Sequence, residues 1–498
     1  MIAEAIDYKE KYEALFIDHV QLRHELDQLK RLVFGSRHER FVPATPPEQF
    51  TLELSVQSVE PVAAPTESIT YTRSKKNEPT EKVSTGRMKL PADLPREKII
   101  IEPTEDVSGM RKIGEEITEE LERIPGKLFV KQYIRPKYAK PLGEGVIIAE
   151  LPSRPIAKGI AGPGLLAQII IDKYTDHLPI HRQVQRFERE GIKLPSSTLT
   201  DWISATCTLL DPLYEVLRKE VLSEDYLQVD ETPIRVLDKS KKARPNGSSG
   251  RGTTHRGYHW VYRSPTKRLV MFDYRQGRGR EGPQECLKKF KGYLQTDGYA
   301  VYEDFGNTPG VTLLACMAHA RRKFDEAKDN DLARAEYVLT QIQKLYAIER
   351  HAKAQGLLVE DIVGLRQEQA IPILLHLKEW MLENYKVVLP KSTIGNALHY
   401  SLQRWDKLMV YTTDGRLEID NNLVENAIRP VAIGRKNYLF AGSHNGARRA
   451  AMLYSFLGTC KINDVNPFEW LRDVLSKIQD YNVTELRKLL PAQWKNKV

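Results

Sequence analysis

Cysteine is scarce in this chain of 498 residues: Cys207, Cys286, Cys316 and Cys460 are scattered, and no two form a CxxC pair. That scarcity excludes a disulfide framework, and the four thiols read as small core residues in a reducing compartment. Also missing is any run of the ~18 uninterrupted apolar residues that a membrane-spanning helix needs. The nearest, Gly164 to Ile171, is stopped by Asp172 and Lys173. No secretory leader opens the chain, so a soluble, cytoplasmic protein without a membrane partner is expected. What is present suits a globular protein, with 41% hydrophobic and 28% charged residues. The net charge of +9 fits a polyanionic partner, because cations that neutralise phosphates release condensed counterions. The same charge also occurs in proteins that never meet nucleic acid. The length predicts three or more structural units.

The first unit, residues 1–41, repeats every seven residues, with Tyr8, Leu15, Leu22 and Leu29 on one position and Ala5, Tyr12, His19, Leu26 and Val33 on the other. This predicts an amphipathic helix, either a coiled coil or a helix packed on its own chain. Residues 42–89 are rich in Pro, Glu, Ser and Thr and read as a partly disordered linker. Residues 90–155 carry short alternating runs and predict a small β-rich module. Over residues 156–220 the pattern is helical. Ile180, Val184 and Phe187 share a face, Gly191 turns the chain, and Pro195-Ser196-Ser197 supplies N-cap chemistry for a helix bearing Leu199, Trp202 and Ile203. A helix, a Gly turn and a second helix suit a plain helical hairpin, and also a DNA-reading helix-turn-helix.

From Tyr226 the pattern turns to strands, with a Gly/Ser/Arg/Lys-rich loop from Lys239 to Arg256. Residues 221–328 therefore read as an α/β sheet domain. Residues 329–412 form a helical stretch, 413–460 return with helix and turn, and 461–498 make a helical tail. Asp230 is expected to end one strand and Asp297 another. Acids at neighbouring strand ends can converge on a divalent cation, which favours oxygen ligands, although such acids also serve as turn or cap residues. Glu425 follows a helix start at Asp420-Asn421-Asn422. Glu231 should face the opposite side of its strand from Asp230. His319, Arg321 and Arg322, and further on Arg429, Arg435 and Lys436, put positive charge close in sequence to these acids. Such cations fit a phosphate-bearing substrate, or a solvated basic helix face.

At these residues the sequence resembles the insertion sequence 66 family of bacterial transposases. The resemblance is carried by Asp172-Lys173-Tyr174-Thr175-Asp176-His177-Leu178-Pro179, Gln228-Val229-Asp230-Glu231-Thr232-Pro233 and Leu294-Gln295-Thr296-Asp297-Gly298-Tyr299. It is also carried by His319-Ala320-Arg321-Arg322-Lys323-Phe324, by the run Asp420 to Pro430, by Gly434-Arg435-Lys436-Asn437 and by Phe34 to Arg40. The resemblance implies a multidomain α/β protein. Its RNase H-like mixed-sheet catalytic domain would be split by a helical insertion and preceded by a helix-turn-helix, a small β module and an N-terminal coiled-coil-like helix. It implies a DDE triad of Asp230, Asp297 and Glu425 holding two Mg²⁺ (or Mn²⁺) ions, with Asp230 shared between them. The implied partner is DNA, both element ends and target, near the nucleoid, contacted by Lys173, Ser197, His319, Arg321, Arg322, Arg429, Arg435 and Lys436. A homo-oligomeric active complex and helper proteins of the same element are implied as well. Many family members carry a cysteine-rich, zinc-finger-like segment matching residues 100–150. That span here holds no cysteine, and a structural site needs about four ligands, so no structural zinc is expected. Two rival readings are a catalytically silent DNA-binding derivative and a structure-selective nuclease on the same fold.

Overall fold

The computed structural model describes residues 126, 128–131, 137–139, 146–148, 152–157, 159–238 and 254–494, and every structural statement concerns those residues. The expected N-terminal helix (1–41), the linker (42–89), most of the β module (90–155) and residues 239–253 of the basic loop lie outside them. Residues 129–498 form one compact unit.

Two short strands, β1 (Lys137–Ala139) and β2 (Val146–Ile148), pair antiparallel. The main sheet is mixed and five-stranded: β3 (Tyr226–Leu237), β4 (Thr254–Ser264), β5 (Leu269–Arg275), β6 (Gly292–Thr296) and β7 (Val311–Ala315). Its order is β5-β4-β3-β6-β7, with β3, β4 and β5 antiparallel and β6 and β7 parallel to β3. The central strand begins Tyr226-Leu227-Gln228-Val229, all buried, as expected of a strand covered on both faces.

Asp230 does not end its strand. The β3–β6 pairing stops at Gln228↔Gln295, but β3 runs on beside β4 to Leu237↔Thr254. Thr232, Ile234 and Val236 are buried in alternation along that extension. Pro233 turns its carbonyl away from β4 onto Arg435. Its missing N–H therefore costs no ladder bond.

The outer edge of β5 is covered by the helix His444–Ile462. Ser455 Oγ accepts from Phe272 N at 2.8 Å, and Thr459 Oγ1 accepts from Val270 N at 3.3 Å. Helix hydroxyls thus satisfy an edge that would otherwise invite another strand. Gly458 lets the helix approach, because a Cβ there would lie 2.8 Å from Val270 Cγ1.

The helices Ile180–Arg189 and Ser196–Leu222 are separated by a turn at Gly191, whose φ is +84°. Phe187, Leu199, Trp202 and Ile203 face inward. Of the expected capping segment Pro195-Ser196-Ser197, Pro195 is the N-cap, and the expected side-chain capping is corrected: no side chain caps the helix. The ring fixes Pro195 at φ −61°, which already supplies the extended backbone of a cap position.

Five helices, Met317–Glu326, Leu332–Ala354, Ile371–Tyr385, Thr393–Gln403 and Trp405–Met409, surround a core containing Phe324, Leu345, Leu374, Leu398 and Trp405. Tyr226 and Leu314 of the sheet join this core, so the helical stretch is packed directly against the strands that carry the acids.

One buried group makes the fold sensitive to pH. The His259 ring lies edge-on to Phe272 and Tyr274, with Nε2 3.2 Å from Ala447 O and Nδ1 without a partner. Burial holds its pKa down at about 4, against an ordinary 6.5. A depressed histidine contributes stability that is present above 6.5 and lost as pH falls toward 4. The melting temperature is expected to drop across that window, and the drop should shrink in His259→Gln; equal slopes for both proteins would contradict this assignment.

Candidate functional site: three acids on a buried amide knot

Two strands carry the same four-residue pattern, Leu227-Gln228-Val229-Asp230 and Leu294-Gln295-Thr296-Asp297. Because β3 and β6 run parallel with Gln228 opposite Gln295, the two acids project from the same end of the strand pair. The glutamines are fully buried and bonded to each other, Gln228 Nε2 donating to Gln295 Oε1 at 2.9 Å. Tyr226 Oη donates to the same oxygen at 2.6 Å.

This knot also holds the third segment. Gln295 Nε2 donates to Glu418 O at 2.8 Å, Gln228 Nε2 to Asp420 O at 3.0 Å, and Glu418 N to Tyr226 Oη at 3.0 Å. Asn421, also buried, donates from Nδ2 to Val229 O at 3.2 Å and from its backbone N to Cys316 Sγ at 3.2 Å. Asp420 accepts from Tyr346 Oη at 2.8 Å and from Asn422 N at 3.0 Å. The helix Asn422–Asn437 starts at once, with Glu425 in its first turn.

Electrostatics register the convergence. Burial pushes the Asp230 carboxyl well above the usual carboxylate range, and the charges of Glu231, Asp297 and Glu425 push the same way. The Glu231 N–H, donating to Asp230 Oδ1 at 2.7 Å, opposes them. His319 lies 3.8 Å from Glu425 Oε1, and Arg322 3.9 Å from Oε2. Burial lowers the His319 pKa, while Glu425 and Asp297 act to raise it. Glu425 Oε1 is buried without a hydrogen-bond partner.

The helical stretch grips the second acid. Asp297 Oδ1 accepts from Tyr299 N at 2.9 Å, Tyr400 Oη donates to Asp297 O at 2.9 Å, and Arg404 donates to Gly298 O at 3.2 Å. Gly298 has φ +86°, and a Cβ there would stand 2.5 Å from Arg404 Nε, so only glycine fits the turn.

Three carboxylates with an orphaned buried oxygen fit hard divalent cations chemically. Among the described residues, no group of three His, Cys, Asp or Glu side chains lies close enough together to hold an ion. Glu231 stands apart from this donor set, accepting from Arg278 at 2.8 and 2.5 Å and from Tyr302 Oη at 3.1 Å.

The basic residues divide. His319 and Arg322 meet Glu425, while Arg321, Arg429 and Lys436 are exposed. Arg435 is half-buried against Pro233 O. Lys173 is half-buried too, its Nζ 5.2 Å from the Tyr174 ring centroid and 6.0 Å from that of Tyr438. Ser197 is exposed in the first turn of its helix. Sequence reasoning missed Tyr226, Gln228, Gln295, Asn421, Tyr400 and Arg404. The repeated Leu-Gln-x-Asp was the available signal for the two glutamines.

Comparison with known proteins agrees across most of the chain. Residues 158–449 match the model described as Transposase IS66 family, and residues 455–492 match the IS66 C-terminal element. Residues 21–99 match Transposase C of IS166 homeodomain, a span that includes the Phe34 to Arg40 stretch. Residues 106–139 match the zinc-finger binding domain of transposase IS66, which overturns the expectation of no structural zinc. A ligand count inspects about four positions. The family pattern is spread over the whole span and persists where no cysteine occurs. Two relatives from Sinorhizobium fredii, the uncharacterized proteins y4hP and y4jD, are each 32% identical to this chain. Both alignments cover 96% of this chain, and 89% and 95% of the respective relatives. A solved structure, the Mos1 transposase paired-end complex with left transposon end, aligns over 53% of this chain and 81% of its own at 11% identity and a TM-score of 0.13, too loose a likeness to carry an argument. Among the described residues, no helix is long and apolar enough to cross a membrane.

Proposed function

The chain belongs to the IS66 family of transposases, and from that membership we propose that it binds the terminal inverted repeats of an insertion sequence and catalyses metal-dependent cleavage and strand transfer through Asp230, Asp297 and Glu425. The observation that carries this reading is the buried knot of Tyr226, Gln228 and Gln295, which ties all three acid-bearing segments together. An RNase H-like reading of the sheet draws support from its order, three antiparallel strands followed by two parallel ones, with helices between β7 and Glu425. A helix-turn-helix role for Ile180–Arg189 and Ser196–Leu222 draws support from the exposed Ser196, Ser197 and Thr200 at the start of the second helix.

Divalent cations bound among the acids would activate an attacking water or 3′-hydroxyl and stabilise the leaving oxygen at phosphorus. Asp230, fixed in the sheet, sets the position of the donor set. Asp297 is held by the Tyr299 N–H and the Tyr400 hydroxyl. Glu425, with one oxygen free of hydrogen bonds, is the acid able to adjust. Arg322 brings positive charge to its flank, where a substrate phosphate gains most from it, and His319 stands beside the same carboxylate. Raising the Asp230 pKa makes cation binding release a proton, so affinity should climb with pH.

Incubation with pre-cut ends bearing 3′-hydroxyls tests the activity: joined product supports a transposase, and cleavage without joining indicates a nuclease. The basic residues make a second expectation. Arg429→Ala should weaken DNA binding evenly across sequences and reduce the slope of log affinity against log salt by about 1. A slope unchanged from that of the wild type would remove Arg429 from the phosphate contacts.

A further inference from the structure

Beyond the acids, at the far end of β3, lies a cavity of about 860 Å³ lined by Arg235, Arg256, Arg435, Leu439 and Phe440 among others. Its described lining contains three arginines and no acid. Arg235 and Arg256 sit directly opposite each other on β3 and β4, a like-charge cross-strand pair that destabilises a sheet unless an anion joins it. Arg435, whose side chain is braced on Pro233 O, is held below its ordinary guanidinium pKa by burial and by Arg256.

The apolar part is equally unusual. Leu439 is 64% and Phe440 43% exposed, and Leu439 has φ +32°, a left-handed conformation that is costly for a bulky side chain. The turn is nevertheless fixed. Ala441 N donates to Arg235 O and Leu237 N to Ala441 O, both at 2.8 Å, so the two apolar side chains are presented rigidly beside the arginines. Aromatic surface beside arginines with no acid is the chemistry that stacks a base and holds its phosphates.

We propose that this cavity receives an unpaired nucleobase of the bound DNA, stacked on Phe440, with the adjoining phosphates on Arg235, Arg256 and Arg435. The inference rests on the DNA-cleaving reading of the acids and adds a second contact to it. Arg435 follows Glu425 by ten residues on one helix, about 15 Å, and Pro233 follows Asp230 by three residues on one strand, about 10 Å. At about 3.4 Å per nucleotide step, the stacked base lies roughly three to four nucleotides from the reacting phosphate.

The test uses the full chain, a blunt duplex, and the same duplex with a single-stranded tail of about four nucleotides carrying 2-aminopurine at each tail position in turn. The wild type is expected to quench the fluorophore at one position and to prefer the tailed duplex by on the order of tenfold. Phe440→Ala should lose both effects while keeping blunt-duplex binding and the melting temperature, and Phe440→Trp should keep both effects. Wild type that binds both duplexes equally with no quenching would overturn the proposal and leave the catalytic reading standing. An equal loss of blunt-duplex binding in Phe440→Ala would overturn it too, by marking a general role. Failure of the wild type to bind either duplex would remove the catalytic reading, and this proposal with it.

Discussion

Asp230→Asn is expected to raise the melting temperature of the metal-free protein and to lower strand transfer by more than ~100-fold, the upper range for residues that only support metal ligands. The stability gain follows from the carboxyl's surroundings. Asp230 is half-buried beside Glu231, Asp297 and Glu425, and its folded pKa lies well above the ordinary 3.8. A carboxyl raised in this way contributes stability that is present below the unfolded value and lost as pH climbs through the folded one. At neutral pH the metal-free protein therefore carries the cost of a crowded, partly desolvated acid. Asparagine keeps the shape and the Oδ1 that accepts from Glu231 N but removes the charge. Added Mg²⁺ or Mn²⁺ should reverse the ranking, raising the melting temperature of the wild type and not of Asp230→Asn. Calorimetry with and without cation reads both effects. A variant that melts lower without metal and still joins DNA would mean that Asp230 is a packing residue.

Arg366→Met should cost about 3–5 kcal/mol, the range for breaking a buried ion pair on one side, at about 2–4 °C of melting temperature per kcal/mol. Arg366 is 3% exposed and lies in a π-helical turn, Arg366–Ala370. Its guanidinium binds Glu349 at 2.9 and 2.7 Å and donates to the carbonyls of Tyr411, Asp414 and Leu417 at 2.6, 2.9 and 2.9 Å. Those carbonyls belong to the segment that leads into Glu418, Asp420 and Glu425. The substitution leaves Glu349 without its partner and loosens the approach to the third acid, so strand transfer should fall alongside stability. The double variant Arg366→Met with Glu349→Gln should recover part of the stability, since no charge is then left unpaired. A loss below about 1 kcal/mol would show that water substitutes for the guanidinium.

Much of this arrangement was legible in local chemistry. Apolar runs ending in acids marked β3 and β6, and Asp420-Asn421-Asn422 marked a helix start, because those signals come from a few neighbouring residues. The continuation of β3 past Pro233 was hidden. Whether a proline ends a strand depends on which side its missing N–H faces, and the register of β3 against β4 decides that. The amide knot was hidden for a similar reason. A glutamine in a strand reads as ordinary polarity until its partner, sixty-seven residues away, turns out to be another glutamine in the same register. The zinc-finger segment failed differently. The family pattern there extends over positions other than the metal-ligand positions, and only the latter were counted.

Strand transfer with labelled element-end DNA in Mg²⁺ or Mn²⁺, wild type beside Glu425→Gln, tests the central claim most directly, because Glu425 is the acid that reaches the site from farthest along the chain. Joined product from the wild type alone, with both proteins binding the end equally, is the predicted result. Equal joining by the two would contradict it and take Glu425 out of the reaction.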